Sequence, residues 1–518
     1  MKYHYLITNL KAKITHEIKI DRLLTKEYPF LYYSLKSKEI NYSLIRRSID
    51  ARKRNQLTYN FTLIIHAQKE IPQLSKFQYF YPEMIELTPI ALKDKHPFII
   101  GMGPAGLFCA LELVERGFQP YIFERGKSIE DRDQDVNTFW QKGILNTESN
   151  VQFGEGGAGT FSDGKLTARN RGIYSEKVFQ YLIRHGANPD IEINALPHLG
   201  TDGLKKILLS VRQYLISKGC RIFFNSKLSE ISLDKGKVTD VLINQESYQP
   251  EAVILAPGNS ARDTFEMLVN KGLLFESKPF AVGFRIEHEQ EFINERFYGK
   301  QTDFNLTGPA VYSLTAQCPP YGVYSFCMCP GGYVIPAASE NGNQVVNGMS
   351  NSMRDNRFAN SAIVATVNQK DFGNKALDGI QFQRMIESRA FKTYQCPAQL
   401  AGDFIKNKKS PFLKNSSYTL EIYSKNLNEL YPKAISQALA KGLSQFDQKI
   451  KGFSEEGLLL APETRTSCPV RIVREESKGC SVSAENLYPI GEGAGYAGGI
   501  VSSAADGIKL AMRFELMK

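Results

Sequence analysis

Residues 98–126 read FIIGMGPAGLFCALELVERGFQPYIFERG. A short apolar strand runs into G-x-G-x-x-G, a helical stretch follows, and a second apolar strand ends in a carboxylate. This strand, turn, helix, strand context separates a dinucleotide fingerprint from a chance glycine spacing. Gly101 makes the tight turn, Gly103 lets a pyrophosphate approach the main chain, and Gly106 permits close packing of helix on strand. Pro104 suits the first helical turn, with Ala105 behind it. The orphan N–H groups of that turn and the helix dipole favour a phosphate. Glu124 follows Gly106 by 18 residues and places a carboxylate where a ribose offers hydroxyls, with Arg125 next to it. The segment predicts a doubly wound, Rossmann-like α/β domain.

Further glycine loops lie far from the fingerprint. Residues 154–166, GEGGAGTFSDGKL, hold five glycines; each costs conformational entropy, so the run implies sharp turns or a flat ligand on the backbone. AVILAPG (252–258) reads as a buried strand entering a turn that contains Ala256 and Gly258. YPIGEGAGYAGGI (488–500) is another strand ending in glycines, Gly491 among them, before a helix. A dehydrogenase using NAD alone needs only the first unit and a catalytic domain. Several distant loops fit one long ligand touched along its length, which points to FAD. A C-terminal strand beside the fingerprint strand would set its helix N-terminus against the flavin ring.

With NVQFGEGGAGTFSDGKL (150–166), PHLGTDGL (197–204), NSARDTF (259–265), FAVGFRIEH (280–288), YSFCMCPGG (324–332), VNGMS (346–350) and APETRTSCPVRI (461–472), the chain resembles the bacterial FAD-dependent dehydrogenase family of the glutathione-reductase-like FAD superfamily, distantly like geranylgeranyl reductases. The resemblance implies a FAD-dependent oxidoreductase passing hydride between flavin N5 and an organic substrate. It implies that Glu124 holds the adenosine ribose, that Arg132 lies near the pyrophosphate, and that the adenine meets backbone at Leu228. Glu492 stands where an aspartate is more usual on the ribityl or phosphate side. Gly498, Gly499 and Ile500 are implied beneath the flavin. Gly157, Ala158, Gly159, Thr160 and Ser162 would line the ring, with Lys165 at its edge. Asn259 stands where histidine is often found before SARD, which removes a proton-transfer role from that position. His198, Arg285, Glu287 and Cys327 are polar or reactive groups in these stretches, and no catalytic acid or base is assigned among them.

The chain has 518 residues and 42% hydrophobic composition, enough for two or three domains with real cores. No apolar run reaches the roughly 18 residues of a membrane helix, and the first residues lack a signal-peptide core, so a cytoplasmic protein is expected. Eight scattered cysteines do not form a disulfide framework. Cys327 and Cys329, at i and i+2, share a strand face and read either as a redox or metal pair or as two small buried hydrophobes. No second pair completes a zinc site, and no metal is expected.

Of the net charge of +10, most falls in residues 1–95, with 17 Lys/Arg against 9 Asp/Glu. This segment alternates in strand fashion at YHYLITNL (3–10) and LTYNFTLIIHA (57–67), around a helical stretch near residues 21–29. Its hottest stretch, RRSIDARKR (46–54), reads as a phosphate grip, as a charged strand edge, or as an interdomain contact. The expected organisation is a basic α+β domain (1–90), a linker at 90–97, a FAD domain in two parts (97–275 and 455–518), and between them a sheet-containing substrate domain (276–454). In the last, PGG and ENGN read as turns of consecutive hairpins. The expected partner is a small-molecule substrate, with NAD(P)H as a donor lacking a Rossmann unit of its own. The alternative is an RNA-associated flavoprotein using the basic domain to bind nucleic acid.

Overall fold

In the computed structural model, described for residues 2–15, 17–80, 96–167, 172–300 and 303–514, a five-stranded parallel sheet forms around the fingerprint strand. The strand order is Leu487–Pro489, Val253–Leu255, Phe98–Ile100, Tyr121–Phe123, Arg221–Phe223. The order thus reverses between Phe98–Ile100 and Val253–Leu255, the point at which open α/β sheets bind ligands beyond their carboxyl ends. The C-terminal strand is not beside the fingerprint strand as expected: Val253–Leu255, apolar on both faces, takes the place between them.

Four helices cover one face of this sheet. Pro104–Glu115, Ile173–Arg184, Gly200–Ser217 and Ile500–Arg513 pack there through Leu107, Leu111, Val178, Leu208 and Ile508. The other face, with Phe98, Ile100, Phe123, Val253 and Leu255, is covered by an antiparallel meander (Leu228–Asp234, Lys237–Ile243, Glu246–Tyr248) and the helix Arg262–Asn270. A full doubly wound arrangement is therefore realised on one side only. The meander buries Leu228, Ile231, Val238 and Val241 against the sheet, and two register shifts in its first pairing break strict alternation.

The second large element is a mixed seven-stranded sheet built around Phe280–Glu289 and Phe358–Val367, whose core is closed by the helix Lys433–Lys449. Strand Leu458–Glu463 belongs to it, pairing with Phe280–Glu289, so by sheet membership the return to the first domain comes after Glu463 and not at 455. Tyr333–Pro336 and Val346–Met349 form the hairpin expected around ENGN. The PGG turn, in contrast, does not close a hairpin: Tyr321–Cys329 pairs with Thr315–Cys318 and Phe358–Val367, and PGG carries the chain from one sheet to another. Glycines at a strand end serve both purposes.

The N-terminal domain is a three-stranded antiparallel sheet, Tyr3–Lys13, Thr58–Ala67 and Ile40–Asp50, with Thr58–Ala67 central, closed by helix Ile20–Glu27 around Leu24, Leu31, Leu63 and Ile65. Two of the five RRSIDARKR cations are paired within the molecule. Arg47 donates to Asp190 at 2.9 Å and to Asn194 at 2.8 Å, and Arg52 pairs with Asp50 at 2.6 Å. Two more contacts, Asn55 N–H to the Tyr298 carbonyl (3.0 Å) and Tyr59 hydroxyl to the Leu306 carbonyl (2.8 Å), dock the domain on the larger body. Residues 90–95 of the expected linker lie outside the described residues. Among the described residues no helix is long and apolar enough to cross a membrane.

Candidate functional site: a glycine-lined cleft

A cleft of about 470 Å³ opens at the switch point of the parallel sheet. Its walls come from four distant parts of the chain: the fingerprint turn, the 154–166 loop, the turn after Val253–Leu255, and the loop before Ile500–Arg513. The seven-stranded sheet closes the far end with Phe326, Cys327, Glu463 and Arg465. Two helices of twelve and fourteen residues, Pro104–Glu115 and Ile500–Arg513, aim their N-termini into it, and neither is capped by a side chain. They pack so closely that a Cβ on Gly507 would collide with the Ala105 carbonyl oxygen. Two orphan sets of N–H groups therefore converge on one space, which favours negative charge there.

The glycines around the cleft divide by what crowds them. Gly101 has φ +103°, and a Cβ there would strike the Ala256 carbonyl oxygen; one on Gly106 would strike the Gly101 carbonyl oxygen. These positions are glycine because the protein itself is in the way. Gly103 differs: the one neighbour within reach of an added Cβ is the Gly157 Cα at 3.8 Å, and around Gly258 and Gly498 there is nothing within 4 Å. A side chain at any of the three would occupy the cleft. Gly258 is glycine for its own backbone as well, at φ +77°, whereas Gly103 and Gly498 keep an open floor that neither packing nor a positive φ requires.

The residues expected at the cofactor fall mostly here. Gly101, Gly103, Pro104, Ala105, Glu124 and Arg125 line the cleft, as do Gly157, Ala158, Gly159, Ser162 and Lys165. So do Leu228, Ala256, Gly258, Glu492, Gly498, Gly499 and Ile500. Four do not. Gly106 and Gly491 are packing positions, the latter with its Cβ site 2.6 Å from Ala105 Cβ, and Thr160 is buried, its hydroxyl donating to the Glu155 carbonyl at 3.1 Å.

Arg132 is the main correction, because it lies behind the 154–166 loop and not on the ligand side. Fully buried, it spends its N–H groups on five acceptors: the carbonyls of Asn150 (2.8 Å), Val151 (3.0 Å), Glu155 (2.6 Å) and Gly157 (2.9 Å), and Thr160 Oγ1 (3.3 Å). Burial lowers it to about 10, still charged at neutral pH. Gly154 is bare because a Cβ would collide with this side chain. The tight loop is thus held by one guanidinium whose fork geometry matches a ring of carbonyls.

Glu124 lines the cleft, but its carboxylate already ties three loops together, accepting from the N–H groups of Met102 (2.8 Å), Gly126 (2.9 Å) and Gly154 (2.9 Å). Arg125 is held by Asp263 (2.9 Å) and Glu148 (2.7 Å) and stacks over Phe153 at 4.0 Å. Asn259 donates to Glu492 at 2.9 Å, and burial pushes the Glu492 carboxyl up to about 7 against that bond.

Of the four polar residues without an assigned role, only Cys327 reaches the cleft. His198 sits outside it on the Ser352 carbonyl (3.1 Å), and Glu287 accepts from the Ser417 hydroxyl on the far side of its strand. Arg285 is fully buried just behind, in an ion pair with Glu463 at 2.6 Å. Residue types alone did not single out Glu463 and Arg465, though both stand in APETRTSCPVRI. Glu387 was not legible at all. It is completely buried and receives Arg262 through two bonds of 2.7 and 2.8 Å, and Arg465 at 3.1 Å, so that both guanidinium charges hold its carboxylate well below the usual range. This knot ties the helix Arg262–Asn270 to the helix Asp378–Ala390 beneath the cleft.

A glycine-floored cleft between two helix N-termini at the switch point of a parallel sheet is the place where open α/β folds bind their ligands. The chain is 44% identical over 496 residues, 92% of its own length and 93% of the other, to an uncharacterised protein of Clostridium beijerinckii, and belongs to the same family. Residues 279–466 match the family described as FAD-dependent protein, C-terminal domain-like. Among solved structures, it is similar to CtdE in complex with FAD (11% identity, 81% of this chain and 82% of that one, TM-score 0.30). It is also similar to a geranylgeranyl bacteriochlorophyll reductase-like protein from Thermoplasma acidophilum (13% identity, 80% and 77%, TM-score 0.33).

Proposed function

We propose that this protein is a FAD-dependent oxidoreductase acting on an organic substrate held between the cleft and the seven-stranded sheet. The observation that carries the reading is the bare floor: Gly103 and Gly498 leave open a space that packing and backbone would allow side chains to fill, beside two uncapped helix N-termini. The fit is chemical as well as spatial. The fingerprint turn offers N–H groups to a pyrophosphate, Arg125 and Leu228 flank the adenosine end, and Gly498, Gly499 and Ile500 offer the second helix terminus to an electron-rich ring. The match of residues 279–466 to a FAD-dependent family supports the same cofactor. Bound FAD supplies hydride transfer through its N5, while the chain binds and orients it and shields it from water. NAD(P)H fits as a transient donor, since the chain carries a single fingerprint.

The test is the visible spectrum of purified protein, followed by titration with FAD and an anaerobic screen of donors and acceptors. A yellow protein, or a colourless one that takes up FAD stoichiometrically, is expected. Folded protein that is colourless and refuses FAD overturns the reading.

A further inference from the structure

The cleft contains a pair of thiols that the reading above does not use. Strand Tyr321–Cys329 runs in register with Phe358–Val367 as far as Phe326, opposite Ala362, and resumes with Cys329 opposite Asn360. Cys327 and Met328 share one partner position, a β-bulge, and Cys327 takes φ +45°. Bulges re-aim side chains, and here Cys327 becomes part of the cleft wall while Cys329 is completely buried.

The surroundings are cationic and fixed. Arg285 donates to the Cys327 carbonyl (3.1 Å) and approaches Cys329 Sγ at 3.9 Å, and Lys165, from the opposite glycine loop, donates to the Met328 carbonyl. The Cys329 thiol donates to the Cys327 carbonyl oxygen at 3.3 Å, so its side chain turns back toward Cys327. In a straight strand, residues i and i+2 are about 6.6 Å apart at the Cα atoms, near the upper limit for a disulfide. The backbone at Met328, inside the bulge, sets that span, and the Cys329 thiol reaches back to the Cys327 carbonyl.

We propose that Cys327 and Cys329 form a dithiol/disulfide couple that exchanges two electrons with the flavin of the same cleft. The proposal rests on the FAD reading above. Cys327 is the attacking thiolate. The hydrogen bond from Cys329 and the charges of Lys165 and Arg285 hold it well below the usual thiol range, and the same pairing pushes Cys329 upward. The step balances: one thiolate and one thiol form the S–S bond, their two electrons and the Cys329 proton pass to oxidised flavin, and the product is a disulfide with anionic reduced flavin. Reversed, reduced flavin cleaves the disulfide.

The couple is tested in two arms. In the first, wild-type protein, with or without FAD, is equilibrated anaerobically with graded ratios of oxidised to reduced dithiothreitol, alkylated and digested. Two thiols are expected to disappear together, both from the peptide carrying Cys327 and Cys329. If that peptide stays fully alkylated at every ratio, the proposal fails, whatever the cofactor. In the second, FAD-loaded protein is titrated with dithionite. Wild type is expected to take four electrons per flavin and Cys327→Ser two; two electrons in both overturns the exchange but leaves the flavoprotein intact. Protein that binds no FAD defeats the flavin reading and the exchange with it, while the first arm still reports on the thiols alone.

Discussion

Gly498 and Gly106 are chemically identical and physically opposite. An added side chain at Gly498 meets no protein atom, so Gly498→Val is expected to leave folding stability within about 0.5 kcal/mol while weakening FAD binding at least tenfold, read by flavin fluorescence titration. Gly106→Val pushes into the Gly101 carbonyl and should yield little folded protein at all. Glu155 gives a second contrast. It is fully buried with its carboxylate on the Ile129 N–H and Arg212, and burial raises it to about 7 from 4.5. The folded state therefore binds a proton that the unfolded state has released between pH 4.5 and 7. The stabilisation that Glu155 retains at low pH is lost as pH rises through that window. Glu155→Gln should gain on wild type by up to roughly 3 kcal/mol between pH 5 and 8 in urea denaturation, and a constant difference would sink this account.

At the scale of the element, the 154–166 loop depends on one side chain outside it. Arg132→Met is expected to cost about 3–5 kcal/mol, since four carbonyls lose their donor, and to raise hydrogen exchange over residues 150–160 before any global change. Arg132→Lys should rescue little, because an ammonium cannot reproduce a planar fork. This loop also shows how far the sequence can be read. Its five glycines were visible as a run, and the fingerprint glycines were assignable individually because their spacing between strand and helix is itself a motif. The use of Arg132 was not visible, since its acceptors are backbone carbonyls, which every residue has. The same holds for PGG, where a turn signal says that the chain bends and not which sheet it joins. The bulge at Cys327 hides in an otherwise regular strand pattern for that reason too.

Across the whole molecule, the two large sheets are joined under the cleft by Glu387 and its two arginines. Removing the acid leaves Arg262 and Arg465 buried without it, so Glu387→Ala should cost about 3–5 kcal/mol; a loss under 1 kcal/mol by thermal or chemical denaturation would show the knot to be incidental. The N-terminal domain is attached more lightly. Its Arg47–Asp190 pair is partly exposed, and Arg47→Ala should change stability by under about 1 kcal/mol, while limited proteolysis releases the domain sooner. The architecture was legible wherever a motif is local: the fingerprint, the strands of the N-terminal sheet, the hairpin at ENGN. It was not legible where three distant segments meet, as at Glu387, because no spacing in the chain encodes that meeting.

The helix Ile500–Arg513, which packs along Pro104–Glu115 and closes the cleft, leaves the ribosome long after the fingerprint turn. A growing polypeptide thus carries its fingerprint turn through some four hundred further residues with only half a berth to offer a nucleotide. Cofactor loading therefore waits on that helix, and a ribosome-stalled product ending ahead of residue 490 should retain no flavin.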